Sequence, residues 1–337
     1  MIRRDRDRSA IVTSTIPLTI ATFHGELVRQ LQQSGYAVTV VASPGPDLDR
    51  IATEFGVDVR PIAMAREIDP RADAVALRQW IAVCRQIRPQ LVVAGTPKAS
   101  LLAMVAARAT GVPQRLYYLA GLRLEGEHGV RRGILAAMER VTGAAASVIV
   151  GNSPSLVARS RELALFDPAK LTGTRPGSGH GVDANHYSPR SRDDRLAEHL
   201  GLEPGIPVVG FVGRLTHDKG IDTLLAALEI LRGRHVDVQL LVVGAQIEPD
   251  SETYAAKLRS ASRVALAGNQ RDVRPYYALM DLNILPSLRE GFPNVVLESA
   301  AMGVPTIASD ATGCVDAVVN GVTGLVVPVR DAEALAD

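Results

Sequence analysis

Two segments in the second half of the chain combine charged side chains with glycines. The first is GRLTHDKG, residues 213–220, which lies between the apolar run VVGFV and the helix-like run IDTLLAALEIL. Arg214 and Lys219 supply two cations at a point where a helix N-terminus presents backbone N–H groups, an arrangement typical of a diphosphate-binding loop. The spacing is not that of a Walker loop, and no Ser or Thr follows the lysine to hold magnesium. Taken alone, the segment also fits a surface loop with two incidental basic residues.

The second segment is EGFPNVVLE, residues 290–298, which follows the strand-like run LNILPS. Its spacing places Glu290 on a loop and Glu298 about one turn into the next helix, so both carboxylates can face one ligand. Carboxylates accept hydrogen bonds from sugar hydroxyls, and the helix N-terminus near Asn294 and Val295 offers N–H groups to a phosphate. Either glutamate alone fits a solvated helix residue. Together with Arg214 and Lys219, they predict a site for a phosphorylated, hydroxyl-rich ligand.

Strand-like and helix-like runs alternate along the whole chain. Several strand-like runs, such as VVGFV and LLVVG, are apolar without alternation, which is typical of parallel strands covered on both faces. The pattern predicts two doubly wound α/β domains. The predicted strands are 10–14, 37–42, 90–94, 115–119, 147–151, 208–212, 239–243, 264–266, 282–285 and 306–309.

The length of 337 residues exceeds the usual size of one hydrophobic core and favours two domains. We place the first at residues 1–190 and the second at 191–337, with a linker near 176–205 that is rich in Gly, Pro, Ser and charge. The linker composition is typical of a loop at an interdomain cleft.

Two helices of the first half have distinct patterns. One begins near Thr22, keeps Phe23, Leu27 and Leu31 on one face, and ends at Gly35. The other covers residues 71–88 and carries Arg71, Arg78 and Arg85 at intervals of seven. This arginine stripe is a solvated face or a surface that contacts anionic lipid.

The formal net charge of +1 conceals an asymmetry. Residues 1–190 carry 24 lysines and arginines against 16 aspartates and glutamates, a net charge of +8, whereas residues 191–337 carry 13 against 20, a net charge of −7. A basic half attracts phosphates, nucleic acid or an anionic membrane surface. Aromatic residues make up 4% of the chain and the arginines are dispersed, which disfavours nucleic-acid binding.

Composition excludes other classes of protein. Hydrophobic residues make up 47% and charged residues 22%, which is globular rather than disordered. No apolar run reaches the length of a transmembrane helix, and residues 9–16 of the N-terminal segment are interpreted as a buried first strand rather than the core of a signal peptide. Cys84 and Cys314 are too far apart in sequence to suggest a disulfide framework, which favours a reducing, cytoplasmic setting.

The two charged segments resemble motifs of the family 4 glycosyltransferases, which have the GT-B fold. The family pattern G-R-x-x-x-x-K-G followed by E-G-F-P-x-x-x-x-E is reproduced here in order, and AMGVPTIASD, NGVTGLVVP and GHGVDANHYSP resemble further family segments. In the first half, TSTIPLT, GTPKASLLAMVAARATGVP and YYLAGLR resemble the branch that acts in bacterial capsule, exopolysaccharide or O-antigen synthesis. The resemblance implies two Rossmann-like domains facing each other across a cleft, with acceptor binding in the first and donor binding in the second.

The resemblance also implies roles for individual residues. Arg214 and Lys219 are expected to hold the diphosphate of a nucleotide-sugar donor, Glu298 to bind the ribose, and Glu290 to contact the donor sugar. With these, the predicted catalytic residues are Arg214, Lys219 and Glu290. The remaining predicted donor contacts are Gly213, Gly291, Phe292, Pro293, Asn294 and Val295, with Asn269 and Arg271 in a base pocket formed by residues 267–271.

The family retains the anomeric configuration, uses no metal ion and needs no cofactor beyond the nucleotide-sugar substrate. Two acidic triplets, DRD at 5–7 and DLD at 47–49, imitate a metal-binding pair but lie in the wrong half. The expected donor is a UDP-linked sugar, and the expected acceptor is a glycan linked to a polyprenyl diphosphate at the inner face of a membrane.

Two departures from the family pattern affect these expectations. Many relatives have a histidine where Ala120 stands, so that role is empty or is taken by Glu125, Glu127 or His128. The chain also ends at DAEALAD, where relatives continue, which suggests a truncated C-terminus. The predicted acceptor contacts are Thr15, Gly121, His128 and Lys98, the last in the loop GTPKAS and pointing toward the cleft.

Two other functions stay open. A GT-B enzyme that does not transfer a sugar, such as a nucleotide-sugar 2-epimerase, has the same two domains but is not expected to carry this set of charged residues. An inactive protein that binds a nucleotide sugar is the other alternative.

Overall fold

The computed structural model describes residues 8–65, 67–174, 176–177, 179–244 and 251–337. The chain forms two compact units, unit 1 (residues 1–180) and unit 2 (residues 181–337). The division falls inside the linker predicted near 176–205 and ahead of the domain boundary predicted at residue 190. The acidic triplet at 5–7 lies outside the described residues.

Unit 1 is built on a parallel sheet. Within the described residues, seven strands lie in the order β3-β2-β1-β4-β5-β6-β7, and each neighbouring pair is parallel. The strand order therefore reverses between β1 and β4, which leaves a crevice at their carboxyl ends where ligands of such folds bind. The strands are β1 Ser9–Thr13, β2 Ala37–Ala42, β3 Asp58–Pro61, β4 Leu91–Ala94, β5 Gln114–Leu119, β6 Val148–Gly151 and β7 Leu171–Gly173.

The helices of unit 1 begin at clear start signals. Proline occupies the first turn of five of those described, where its missing N–H costs nothing, and the side chains of Asp69 and Ser153 cap two of them. A π-helical turn spans Ile20–His24, and a 3₁₀ turn spans Arg123–Gly126. The helices are α1 Pro17–Thr19, α2 Gly25–Gln33, α3 Pro46–Phe55, α4 Pro70–Ile87, α5 Pro97–Ala109, α6 Gly129–Ala145 and α7 Pro154–Glu162.

The first helix differs from the prediction in its start and in its buried face. Helical structure begins at Pro17 rather than near Thr22, and the π-helical turn changes the register of the residues that follow. As a result His24 and Val28 are buried, whereas Phe23 is 46% exposed. A helix of regular 3.6-residue period was assumed in the prediction, and the wider turn breaks that period.

Strands β3 and β7 were not predicted. Both lie at an edge of the sheet, so they lack the uninterrupted apolar run that marks a strand covered on both faces. The predicted helix 71–88 is observed as α4, where Ala76, Trp80 and Cys84 are buried. Arg71, Arg78 and Arg85 are all exposed along it.

Unit 2 repeats the same architecture. In its described part, six strands lie in the order β10-β9-β8-β11-β12-β13, again with parallel neighbours. The order reverses between β8 and β11, so a second crevice opens at their carboxyl ends. The strands are β8 Val208–Val212, β9 Gln239–Val243, β10 Val264–Gly268, β11 Leu282–Leu285, β12 Thr306–Ser309 and β13 Gly324–Val327.

The helices of unit 2 cover both faces of its sheet, as the separate hydrophobic clusters on β8 and β9 show. A 3₁₀ turn spans His217–Lys219, directly before the longest described helix of this unit. The helices are α8 Asp194–His199, α9 Ile221–Gly233, α10 Ser251–Ser260, α11 Arg274–Tyr277, α12 Asn294–Ala301, α13 Cys314–Ala317 and α14 Ala332–Ala336. Across the described residues, no helix of either unit has both the length and the apolar composition needed to cross a bilayer.

Candidate functional site

The two charged loops of unit 2 meet at the crevice between β8 and β11, which we call the charged crevice. The first loop, residues 213–220, follows β8, and the second, residues 286–293, follows β11, which is paired with β8. A backbone hydrogen bond joins them directly, from the Leu288 N–H to the Asp218 carbonyl oxygen at 2.8 Å. The sheet therefore brings together two motifs that are separated by about 70 residues in the sequence.

Neighbouring residues of the two loops form two ion pairs. The first loop supplies the cation of one pair and the anion of the other. The Lys219 ammonium pairs with the Glu290 carboxylate, and Arg289 Nη2 lies 3.0 Å from Asp218 Oδ2. Lys219 and Glu290 are 14% and 13% exposed, so their pair is largely removed from water. We call Arg214, Asp218, Lys219, Arg289 and Glu290 the charge cluster.

Asp218 is the central carboxylate of the charge cluster. The Thr216 hydroxyl donates a hydrogen bond of 2.5 Å to its Oδ1, and Arg214 Nη2 lies 3.7 Å from its Oδ2. Burial raises the pKa of Asp218, but Arg289, the Thr216 hydroxyl, Lys219 and Arg214 together outweigh burial and lower that pKa below its ordinary value. Asp218 is therefore ionised.

Glu290 is positioned from several directions. Its backbone N–H donates to the Thr312 carbonyl oxygen at 3.0 Å, and the Ser287 hydroxyl donates to its Oε1 at 2.7 Å. Ser287 is held in turn, because the Ser309 hydroxyl donates to its carbonyl oxygen at 2.5 Å. The carboxylate is therefore held by both the Ser287 hydroxyl and the Lys219 ammonium.

Two glycines allow neighbouring backbone to approach the second charged loop, Gly220 from the first loop and Gly313 from the start of α13. Gly220 has φ +70°, and a Cβ atom there would lie 1.9 Å from the Pro286 carbonyl oxygen. Gly313 has φ +82°, and a Cβ atom there would lie 2.3 Å from the Gly291 carbonyl oxygen. Any other residue would both strain the backbone and collide with a neighbouring main chain.

Glu298 lies in α12, one turn beyond its start at Asn294. The Tyr277 hydroxyl oxygen lies 3.2 Å from its Oε2 and 3.1 Å from the Val295 carbonyl oxygen, and these two acceptors share its single proton. Burial raises the pKa of Glu298 above its ordinary value, and the Tyr277 hydrogen bond only partly offsets this. Asn294 Nδ2 donates to the Gly181 carbonyl oxygen at 3.3 Å.

The other predicted donor residues surround these groups with backbone and apolar contacts. The Gly213 N–H donates to Val243 at the end of β9, and Phe292 packs in a hydrophobic cluster with Leu285 and Val296. Pro293 is buried immediately before α12. Asn269 and Arg271 follow β10, and among the described residues no side-chain contact joins them to the charge cluster. Gln270 Nε2 donates to the Ala267 carbonyl oxygen at 2.6 Å in the same segment.

Unit 1 has a different crevice between β1 and β4. The Thr15 N–H donates to Thr96 Oγ1 at 2.7 Å, and the two hydroxyls are 2.9 Å apart. His24 lies against the neighbouring Gly95, where a Cβ atom would come within 2.6 Å of His24 Nε2. The His24 ring also meets Tyr118 edge-on, with centroids 5.7 Å apart. We call Thr15, His24, Gly95, Thr96 and Tyr118 the hydroxyl crevice.

His24 is a neutral imidazole at physiological pH. Burial lowers its pKa to about 4, and nearby His180 adds to the shift. The His180 ring packs against Phe23 at an interplanar angle of 52° with ring centroids 5.0 Å apart, while the Tyr118 hydroxyl donates to the Gly179 carbonyl oxygen at 2.7 Å. Residues 179 and 180 are thereby held close to the hydroxyl crevice.

Lys98 does not lie in a loop, which corrects the sequence interpretation. It occupies the first turn of α5, is 5% exposed, and pairs with Asp73 of α4, one of the two contacts measuring 2.6 Å. A nearly buried ammonium of this kind needs a carboxylate partner, because an unpaired buried charge is costly. Its charge is thus matched inside unit 1.

The remaining predicted acceptor residues are not gathered in one place by side-chain contacts. Gly121 has φ +134° and follows β5, close to Tyr118 in sequence. His128 is exposed directly before α6, and in the described part of the chain no contact connects it to Thr15. Glu125 pairs with Arg159, and Glu127 pairs with Arg131.

Sequence reasoning missed six residues of the two crevices, namely Asp218, Arg289, His24, Gly95, Thr96 and Tyr118. Asp218 and Arg289 stand next to predicted site residues, and their alternation of charge with Lys219 and Glu290 is a signal that the sequence offers. His24 and Thr96 had no comparable signal, because their partners come from other strands.

Comparison with known proteins identifies the family. The family model described as "Glycosyl transferases group 1" matches residues 206–337, and that described as "Glycosyl transferase 4-like domain" matches residues 19–177. CapM of Staphylococcus aureus, a capsular polysaccharide biosynthesis glycosyltransferase, is 31% identical over 325 residues that cover 96% of this chain and 84% of CapM. A GDP-mannose-dependent alpha-mannosyltransferase of Mycolicibacterium smegmatis is 29% identical over 324 residues, covering 91% of this chain and 80% of the relative.

A solved structure shows the same fold. HepE of Anabaena in complex with UDP-glucose superposes with a TM-score of 0.75 at 20% identity, covering 97% of this chain and 87% of HepE. The two family models together match residues in both units. The chain belongs to the family 4 glycosyltransferases and has the GT-B fold, as its motifs predicted.

Proposed function

We propose that this glycosyltransferase moves a sugar from a nucleotide-diphosphate donor, held at the charged crevice of unit 2, to a glycan acceptor. The observation that carries the proposal is the convergence of Arg214, Lys219 and Glu290 at the point where the strand order of unit 2 reverses. Cations and backbone N–H groups there suit a diphosphate, and carboxylates suit sugar hydroxyls. Arg214 and Lys219 neutralise charge on the departing nucleotide.

The donor sugar and the ribose are assigned to the two glutamates. Glu290 contacts the donor sugar, and Glu298, on α12 beside Tyr277, accepts hydrogen bonds from or donates to the ribose hydroxyls. Gly291, Phe292, Pro293 and Asn294 shape the loop between them. Asn269 and Arg271 are proposed contacts to the base.

Transfer proceeds with retention of the anomeric configuration. The acceptor hydroxyl oxygen forms a bond to the anomeric carbon on the face from which the diphosphate leaves. The bond between that carbon and the diphosphate oxygen breaks, and its electron pair stays on the nucleotide. A phosphate oxygen of the leaving group takes the acceptor proton, so no protein base is required.

A UDP-linked donor is the first candidate, and HepE, solved with UDP-glucose, supports it. The GDP-mannose dependence of the Mycolicibacterium relative supports a guanosine donor instead. Thermal shift with UDP, GDP and their sugars, followed by product analysis with the radiolabelled donor that binds, distinguishes them. Transfer to an acceptor supports the proposal, whereas release of a free epimer indicates a 2-epimerase and binding without turnover indicates an inactive protein.

The protein supplies its own cations, so we propose metal-independent catalysis. Arg214 and Lys219 occupy the position where a divalent ion would otherwise neutralise the diphosphate. Activity is expected to survive treatment with EDTA. Activity that disappears on chelation and returns with manganese or magnesium would contradict this assignment.

The proposed acceptor is a glycan on a polyprenyl diphosphate, in the synthesis of a bacterial surface polysaccharide. The similarity to CapM and the net charge of +8 on residues 1–190 support it. Each basic residue near an anionic bilayer contributes about 1 kcal/mol, so a few arginines suffice. Arg71, Arg78 and Arg85 are exposed along α4 and are the proposed membrane contacts.

Vesicle sedimentation tests the membrane contact. The protein is expected to bind anionic vesicles more strongly than neutral ones, and salt is expected to weaken that binding. A variant with all three α4 arginines changed to glutamine is expected to lose most of it. Failure to bind either vesicle type, with efficient transfer to an uncharged soluble sugar, would overturn the proposal of a lipid-linked acceptor. It would leave the proposed donor site intact.

A further inference from the structure

The charge cluster contains a cation that neither family motif includes. Of the residues predicted for the diphosphate, Arg214 and Lys219 carry two positive charges. Asp218 and Glu290 lie in contact with them and carry two negative charges, so these four side chains have no net charge. Attraction of an anion to four balanced charges is weak, because the nearby carboxylates oppose the cations. Arg289 adds the positive charge that makes the charge cluster cationic.

The Arg289 guanidinium has donors to spare. Its Nη2 lies 3.0 Å from Asp218 Oδ2, and Asp218 is its only ion-pair partner among the described residues, whereas a guanidinium has five N–H donors. Its side chain is 25% exposed, so the remaining donors are not sealed in the core. Asp218 also accepts from Thr216 and attracts Arg214, which leaves Arg289 less than fully neutralised by this carboxylate.

The backbone fixes the direction in which Arg289 projects. Leu288 on one side donates its N–H to the Asp218 carbonyl oxygen at 2.8 Å. Glu290 on the other side donates its N–H to the Thr312 carbonyl oxygen at 3.0 Å. Arg289 is therefore held between two tethered residues, and its position is set before any ligand arrives. Preorganised donors bind an anion without the entropy cost of ordering a flexible loop.

We propose that Arg289 is a third ligand of the donor diphosphate, alongside Arg214 and Lys219, and that Asp218 holds its guanidinium at the mouth of the crevice. The inference rests on the proposed donor site and adds a residue to it. A planar guanidinium can place two parallel N–H donors on one phosphate, so Arg289 is assigned a bidentate contact that Lys219 cannot make.

Isothermal titration calorimetry with UDP, UMP, GDP and GMP tests the proposal on the full chain. For whichever nucleoside the wild type binds, Arg289→Ala is expected to weaken the diphosphate by about tenfold or more, since it removes charged hydrogen bonds. The affinity of Arg289→Ala for the monophosphate, which lacks one phosphate, is expected to fall clearly less. Arg289→Lys keeps the charge without the fork and is expected to fall between Arg289→Ala and the wild type.

Arg232→Ala is the matched control, because Arg232 also pairs with an acidic neighbour, Glu229, but lies on α9 away from the charge cluster. It is expected to bind all four nucleotides like the wild type.

A folded Arg289→Ala variant that binds the diphosphate within about twofold of the wild type would overturn the proposal. An equal loss for monophosphate and diphosphate would overturn it too. If Arg289→Ala fails to fold, Arg289→Lys decides, and wild-type affinity for the diphosphate in that variant rejects the bidentate contact. A wild type that binds neither diphosphate refutes the donor site itself.

Discussion

The two units have the same sheet topology but opposite chemistry at the crevice where their strand order reverses. In unit 2, the crevice is surrounded by ionised side chains that pair across two loops. In unit 1, the corresponding crevice between β1 and β4 contains hydroxyls, a glycine and an uncharged imidazole. One fold thus supplies a crevice of paired charges in one unit and a crevice of uncharged polar groups in the other.

Burial alone does not account for this contrast, since ionisable groups are buried in both crevices. Asp218 stays charged because Arg289, Lys219 and Arg214 outweigh the cost of burial. Burial lowers the pKa of His24 to about 4, and nearby His180 lowers it further instead of offsetting burial. The partners, rather than the depth, decide the charge.

The largest effect is expected from a substitution that inserts a side-chain atom between the two charged loops. Gly220→Ala places a Cβ atom 1.9 Å from the Pro286 carbonyl oxygen at a positive φ. Strain and overpacking together predict a loss of about 3–4 kcal/mol in the free energy of unfolding of unit 2. Displacing the loops is expected to weaken nucleoside diphosphate binding by about a hundredfold. Chemical unfolding and calorimetry measure the two effects.

Gly233→Ala and Gly95→Ala are the comparisons for this variant. A Cβ atom at Gly233, at the end of α9, meets nothing within 4 Å, so no effect on binding is expected. At Gly95 the nearest atom is His24 Nε2 at 2.6 Å, so only unit 1 is expected to be destabilised. Diphosphate binding that survives in Gly220→Ala would refute the close approach of the two loops as a requirement.

A second comparison uses the buried lysine of each unit. Lys219→Met leaves Glu290 without its partner, and Lys98→Met does the same to Asp73. Each is expected to lower the free energy of unfolding by about 3 kcal/mol, because an uncompensated buried carboxylate is costly. Lys219→Met alone is expected to weaken nucleoside diphosphate binding, by about tenfold or more. Equal binding by both variants would show that the ion pair of unit 2 is structural.

The neutral imidazole of unit 1 predicts a stability that depends on pH. The pKa of His24 is about 4 in the folded protein, against an ordinary value of 6.5 for a solvated histidine, so the unfolded chain binds more protons between these limits. The contribution of His24 is complete above pH 6.5 and is lost as the pH falls toward 4, by up to about 3 kcal/mol. Unfolding by denaturant at a series of pH values measures it.

His24→Gln isolates this contribution from that of Glu139. Burial raises the pKa of Glu139 to about 7, and its stabilisation is therefore present below pH 4.5 and lost as the pH rises toward 7, in the opposite direction. Because Glu139 is common to both proteins, the difference between wild type and His24→Gln is expected to shrink on acidification. A difference that is constant between pH 7 and 4 would contradict a neutral His24.

The smallest expected effect tests the hydroxyl pair. Thr96→Val removes the acceptor of the Thr15 N–H and the partner of the Thr15 hydroxyl. A cost of about 1–2 kcal/mol is expected, together with faster hydrogen exchange of the Thr15 amide. Thr53→Val, which removes an exposed hydrogen bond within α3, is the control and is expected to leave that amide unchanged. Unchanged exchange in Thr96→Val would show that the bridge is absent in solution.

The sequence predicted most of the architecture, because parallel strands that are covered on both faces have uninterrupted apolar sequences. Strands β2, β8, β9, β11 and β12 have the predicted bounds. The edge strands β3 and β7 were missed because an uncovered face needs no apolar run, and the edge strand β13 was indicated only by the family resemblance of NGVTGLVVP. The start of the first helix was wrong because a π-helical turn leaves no local signature.

The amino-acid sequence by itself determined the two doubly wound units and the family, since both depend on local patterns and on motifs within a few residues. Only the tertiary structure decided which charges meet. Residues 218 and 219 pair with 289 and 290, and Lys98 pairs with Asp73, because sheet order brings distant loops and helices together. The same applies to His24, whose neutrality depends on neighbours from β4, β5 and residue 180. Pairings across such separations have no sequence periodicity, and the charge of a buried group follows from its partners rather than from its own type.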